Sequence, residues 1–140
     1  MKSKLDSKIS NHILKANTEQ FKNVSKFELT NQTFRSLNFE SFDIFKGLEN
    51  LKLIKNPIIT TKLESKISCT SLIELEIKSC KITSMEPEIF SDLINLKKLS
   101  LSANKLKMIT RDHFKGLNNL EELDLSSNRI LSISNKPFIE

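Results

Sequence analysis

Apolar residues recur along this chain at fixed offsets. Leu96, Leu99, Leu101, Leu106, Ile109, Phe114 and Leu117 form one set, with Asn104 inside it. The set restarts 24 residues later at Leu120, Leu123, Leu125, Asn128, Ile130, Ile133 and Phe138. In each set two leucines flank one polar residue, as in Leu99-Ser100-Leu101. That alternation is strand periodicity, because successive side chains of a strand point to opposite faces. Each unit is therefore predicted to supply one short strand, and successive units to stack their strands into a parallel sheet. The Asn that follows takes the chain off the sheet. Its amide has an acceptor oxygen and two donor hydrogens, enough to satisfy backbone groups of the turning loop.

Three earlier units follow the same template. The first reads Val24, Phe27, Leu29, Gln32, Phe34, Leu37, Phe42 and Phe45, with Gln32 in the Asn position and Phe39 adding bulk on the return. The second begins Leu48, Leu51, Leu53, Asn56 and Ile58. Its return half is weak: Thr61, Lys66 and Cys69 stand where Ile, Phe and Leu are expected, and Leu63 or Ile67 is the candidate substitute. Phe45-Lys46-Gly47-Leu48 copies Phe114-Lys115-Gly116-Leu117 three residues out of register. The 24-residue register is retained because Leu51, Leu53 and Asn56 align with both neighbouring units. The third unit is Leu72, Leu75, Ile77, Cys80, Ile82, Met85, Phe90 and Leu93. A thiol at Cys80 is a weak donor, so that rung is expected to be looser.

Residues 1–23 fit poorly and read as a degenerate repeat or an N-terminal arm. Residues 24–140 read as an array of about five units, the last one truncated. One such unit cannot bury its apolar face alone, and complete arrays carry polar caps. No cap is legible, and the expectation is a section of a longer array or a gene fragment.

The motif Leu120-x-x-Leu123-x-Leu125-x-x-Asn128-x-Ile130-x-x-Ile133, followed by Phe138, resembles leucine-rich-repeat proteins of the 24-residue, phenylalanine-spined class. Met85-Glu86-Pro87-Glu88-Ile89-Phe90 is similar to the return segment of that class. The resemblance runs from Val24 to Phe138. Toll-like receptor ectodomains, Slit-like guidance proteins and small matrix proteoglycans belong to the class. The resemblance implies an α/β solenoid with a short-stranded parallel sheet on the concave face and mostly loops or short helical turns on the convex face. It also implies a protein-binding recognition module of a secreted or cell-surface protein, with a protein ligand, no cofactor and no metal. The alternatives are an intracellular scaffold or adaptor of the cytoplasm, or a nonfunctional gene fragment.

In that architecture the residues beside the strand leucines line the concave face. They are Lys26, Glu28 and Thr30; Asn50, Lys52 and Ile54; Glu74, Glu76 and Lys78; Lys98, Ser100 and Ser102; Glu122, Asp124 and Ser126. The central column reads Glu28, Lys52, Glu76, Ser100 and Asp124, so neighbours of opposite charge can pair across the sheet. Two readings compete for this strip. One is a mixed-charge docking face, and the other is a solvated surface that merely tolerates the fold. Only Ile54 in it is apolar, and it lacks the Trp, Tyr and Arg that dominate interface energetics.

Composition narrows the classes further. The 22 basic and 17 acidic residues are interspersed, giving a net charge of +5, and there is no Trp or Tyr. A nucleic-acid groove concentrates basic residues and interleaves aromatics, so no nucleic-acid partner is expected. The basic N-terminus is followed by no apolar run, so it does not read as a signal peptide, and no stretch is long and apolar enough for a transmembrane segment. Cys69 and Cys80 read as buried thiols. His12 and His113 are far apart and read as surface residues. With no nucleophile motif, phosphate-cradling glycine loop or ligand cluster, an enzyme is not expected. Asn23-Val24-Ser25 and Asn31-Gln32-Thr33 make Asn23 and Asn31 glycosylation candidates, although chance alone supplies about two such matches here.

Overall fold

The computed structural model describes residues 23–37, 42, 45–63 and 66–134. The expectations for residues 1–22, His12, Phe39 and Phe138 fall outside these. The units alternate a strand of the main sheet with a return segment, coil upon coil. Strands β1 (Lys26–Thr30), β2 (Asn50–Ile54), β4 (Glu74–Lys78), β6 (Lys98–Ser100) and β8 (Glu122–Asp124) form one five-stranded parallel sheet in that order. Short strands β3 (Lys62–Leu63), β5 (Ser84–Met85), β7 (Met108–Thr110) and β9 (Ser132–Ser134) lie on the return side. The sheet keeps the 24-residue register throughout: Phe27 opposes Leu51, Leu51 opposes Leu75, Leu75 opposes Leu99 and Leu99 opposes Leu123. Leu51, Leu53, Leu75, Ile77, Leu99 and Leu101 point into the core and are buried.

The asparagines act as rungs between coils. Asn104 Nδ2 donates to Ile77 O in the preceding coil at 2.7 Å and to Leu101 O in its own at 2.9 Å. Its Oδ1 accepts from the backbone N–H groups of Cys80 at 2.9 Å and Ile82 at 3.2 Å. Asn128 repeats this one coil on, donating to Leu101 O and accepting from Leu106 N–H. Asn56 donates to Leu29 O and accepts from Gln32 N–H. Cys80 serves the same place with sulfur, donating to Lys78 O at 3.2 Å and across to Leu53 O at 3.4 Å, where the equivalent cross-coil bonds of Asn104 and Asn128 are 2.7 and 2.9 Å. Gln32 does not act as a rung: its side chain is exposed and donates to Thr30 O. Its extra methylene carries the amide past the backbone groups it would need to reach. Each strand of the sheet is followed by a left-handed residue, Asn31, Lys55, Ser79, Ala103 and Ser127, with φ between 55° and 57°.

The return side departs from a strict 24-residue spacing in the second coil. There β3 pairs with β5 through Lys62–Ser84 and Leu63–Met85, an offset of 22 residues. Leu63 and Ile67 are both fully buried, while Lys66 is exposed. A lysine in the spine position cannot leave its ammonium in the core. The shift brings Ile67 inward in its place, and both candidate substitutes are used. Phe90 is the fully buried spine residue of the next coil. In the first coils Phe27 packs on Phe45 and Phe42 with ring centroids 5.0 and 5.8 Å apart.

The convex side has the short helical turn and loops expected of it, with short strands in addition. Besides a 3-10 turn at Arg111–Phe114 it carries the short parallel pairs β3–β5 and β7–β9. His113 belongs to that turn and is buried, not a surface residue. Its Nδ1 accepts the Thr110 N–H at 3.0 Å, so the ring folds under its own turn as a cap. Cys69 and Cys80 are buried thiols, and burial pushes the Cys80 thiol up to about 11. Among the described residues no helix is long and apolar enough to cross a membrane.

Candidate functional site

The strand periodicity leaves every second residue of the main sheet on its open face. Register then sets these residues in columns: Lys26, Asn50, Glu74, Lys98, Glu122 along one edge, and Glu28, Lys52, Glu76, Ser100, Asp124 along the middle. Thr30, Ile54 and Lys78 form the third column, continued by Ser102 and Ser126 just beyond β6 and β8. The sheet thus brings together every residue assigned to the concave face.

Their environments are not uniform. Glu76 lies between two lysines, with Lys52 Nζ 2.5 Å from one carboxylate oxygen and Lys78 Nζ 2.6 Å from the other. It is only 8% exposed, and Ser100 and Ser102 are equally covered. The three are thus less open than the rest of the outward strip: Lys52 and Lys78 hold Glu76, and Ser100 is tied to Ser102 and Asp124. Burial works to raise the Glu76 carboxyl, but the hydrogen bonds from Lys52 and Lys78 outweigh it and hold it below the ordinary carboxylate value. The bond to Glu76 in turn raises Lys52. Asn50 Nδ2 donates to Glu74 at 2.6 Å, and Lys98 pairs with Glu122 at 2.7 Å.

Asp124 is the most elaborated member of the strip. Its Oδ1 accepts the Ser126 N–H at 3.0 Å and its Oδ2 accepts the Ser100 hydroxyl at 3.0 Å. Hydrogen bonds from Ser126, side chain and backbone, and from Ser100 hold its carboxyl far below the usual range. Ser100 also shares a hydrogen bond with Ser102 at 3.1 Å. This serine–aspartate network was not legible in the sequence, where Asp124 is one more outward carboxylate. The only signal was the run Ser100-Leu101-Ser102, which places two hydroxyls on one face at strand spacing.

Strands β4, β6 and β8 enclose a shallow concavity of about 420 Å³, lined by Glu74, Glu76, Lys78, Lys98, Glu122 and Asp124 among others. Its lining presents ionic and hydrogen-bonding groups over an open surface. Among the described residues no group of His, Cys, Asp or Glu is placed to hold a metal ion. Off the strip, the sequon residues Asn23 and Asn31 are both exposed, and Asn31 directly follows β1.

A protein-family model described as leucine rich repeat matches residues 70–130, the stretch that contains β4 to β8 and three of the four rungs described above. No curated protein matches the chain.

Proposed function

From the premise that the chain is a leucine-rich-repeat protein, we propose that it is the protein-binding recognition module of a secreted or cell-surface protein, and that its concave sheet face is the docking surface. The family is typically non-enzymatic, and the proposal assigns no catalytic role to any residue. The observation that carries it is the preordered charge ladder on an open face. Lys52, Glu76 and Lys78 are held by one another, and Asn50–Glu74 and Lys98–Glu122 by cross-strand contacts. Side chains already fixed lose less rotamer freedom when a partner docks, which lowers the cost of association. Exposed ion pairs add little to fold stability, and a surface patterned this way sets specificity and encounter rate.

The test is a screen of immobilised extracellular protein domains with the full chain and with a Glu74→Lys, Glu122→Lys variant. A ligand bound by the former and weakened about tenfold or more in the latter supports the reading. A ligand whose hydrogen-exchange footprint falls on Lys62 and Lys115 of the return side contradicts it. The cellular address is tested separately on protein from its native source. A glycan on Asn23 or Asn31 supports the secreted reading, and unmodified asparagines favour an intracellular scaffold.

A further inference from the structure

The loops that leave the main sheet form a second surface with a different charge pattern. Five windows of equal length follow the five strands: residues 31–37, 55–61, 79–85, 103–109 and 127–133. They contain Arg35, Lys55, Lys81, Lys105, Lys107 and Arg129 and not one Asp or Glu. With acidic residues at the chain's average frequency, about four would fall in these windows. The rest of the chain is nearly balanced, with 16 basic residues against 17 acidic ones. The net positive charge of the protein therefore resides on this flank.

The flank is also ordered. Backbone hydrogen bonds join its loops coil to coil: Asn31 to Ile54, Lys55 to Lys78, Ser79 to Ser102, Ala103 to Ser126, Lys105 to Ile82 and Arg129 to Leu106. Lys81, Lys105 and Arg129 occupy equivalent positions of successive coils. Coils stacked at the strand spacing set their attachment points about 4.8 Å apart. Elsewhere the lysines meet carboxylates, as in Lys62–Glu86, Lys66–Asp92 and Lys97–Glu121. Among the described residues Lys55, Lys81, Lys105, Lys107 and Arg129 form no such pair. Apolar side chains lie among them: Ile59 is 52% exposed, Met108 43% and Leu131 86%.

We propose that this flank is a second interaction surface, distinct from the concave face, and that it binds an acidic polypeptide segment carrying apolar side chains. The basic column supplies long-range attraction and ionic contacts. Ile59, Met108 and Leu131 supply the desolvated contacts that a protein interface places at its centre. A sulfated polysaccharide or a nucleic-acid backbone satisfies the cations but leaves these apolar groups uncovered. The flank also offers no exposed aromatic ring on which a base could stack.

The experiment uses the full 140-residue chain and fluorescence anisotropy at low salt. The probe is a labelled peptide of about 16 residues built from Glu, Asp and Leu, compared with oligo-glutamate, a heparin fragment and a short DNA duplex. The Glu/Asp/Leu peptide is expected to bind tightest. Lys81→Glu, Lys105→Glu, Arg129→Glu together should weaken it about tenfold or more, and Ile59→Ser with Met108→Ser should weaken it without changing heparin binding. If the charge-reversed protein does not fold, the three Gln substitutions serve in its place. The Glu74→Lys, Glu122→Lys protein should bind the peptide no less tightly, which separates this surface from the concave one. Tighter binding of heparin or DNA than of the peptide, unchanged binding by the flank variants, or no binding of the peptide overturns the proposal.

Discussion

Leu101 and Asn104 stand three residues apart and hold the same coil by different means. Leu101 has no exposed surface, so Leu101→Ala is expected to cost about 2–5 kcal/mol, read from the denaturant midpoint. Its outward neighbour Ser100 gives the alternation that made the inward face legible from sequence. Asn104 is buried and its amide engages backbone groups of the preceding coil as well as its own. Asn104→Ala orphans those groups and is expected to cost about 2–4 kcal/mol. Asn104→Cys should cost less, because a thiol already occupies the equivalent place at Cys80 and donates to the same two kinds of carbonyl. Equal losses in the two variants would show that sulfur does not substitute. The rung positions were readable from the motif. That Gln32 would abandon its rung followed only from the length of its side chain, and that Asp124 would bind two serines did not follow from the motif at all.

At the scale of single elements, the 3-10 turn at Arg111–Phe114 is stabilised by a histidine that must stay neutral. Burial lowers the His113 pKa from 6.5, against the opposing influence of the Met85 backbone and the carboxylates of Asp112 and Glu86. Between the lowered folded value and the unfolded value near 6.5, the unfolded chain binds more protons. Stability is therefore fully present above 6.5 and is lost as the pH falls through the folded value. Urea melts near pH 7.5 and pH 5 should show the lower midpoint at the acidic value, about where histidine rather than carboxylate titrates. His113→Asn, which retains an acceptor for the Thr110 N–H, should reduce that difference. A pH dependence undiminished in the variant would assign it elsewhere. The neighbouring connection depends on Gly116, which has φ +90° and whose added Cβ would lie 2.5 Å from Ser91 O. Gly116→Ala should cost about 1–3 kcal/mol in the same melts; a neutral result would mean that the two loops separate easily. In the sequence Gly116 is just one of two glycines, because close backbone approach leaves no mark on the pattern.

Across the whole molecule, burial is greatest in the middle coils and falls toward the last described one. Leu75 and Leu99 are covered, whereas Leu123 is 43% and Ile133 77% exposed, although all occupy inward repeat positions. Stability in a stacked array is shared between neighbours. Amides of β8 are therefore expected to exchange with solvent faster than those of β4, measured residue by residue in the native state. Uniform exchange across the sheet would indicate a single cooperative unit.

The chain by itself determined the solenoid, its 24-residue sheet register, the inward leucines and the outward strip. All of these follow from periodicity, and periodicity is a property of sequence. Tertiary structure alone decided the rest. The 22-residue offset of the second return depends on which of Thr61, Leu63, Lys66 and Ile67 can be buried against the next coil. The ties of Glu76 to Lys52 and of Ser100 to Asp124 depend on side chains that arrive from other strands. The basic flank becomes one surface only when coils distant in sequence are stacked. Each of these is a relation between residues a coil or more apart, and such relations exist only once the coils are packed.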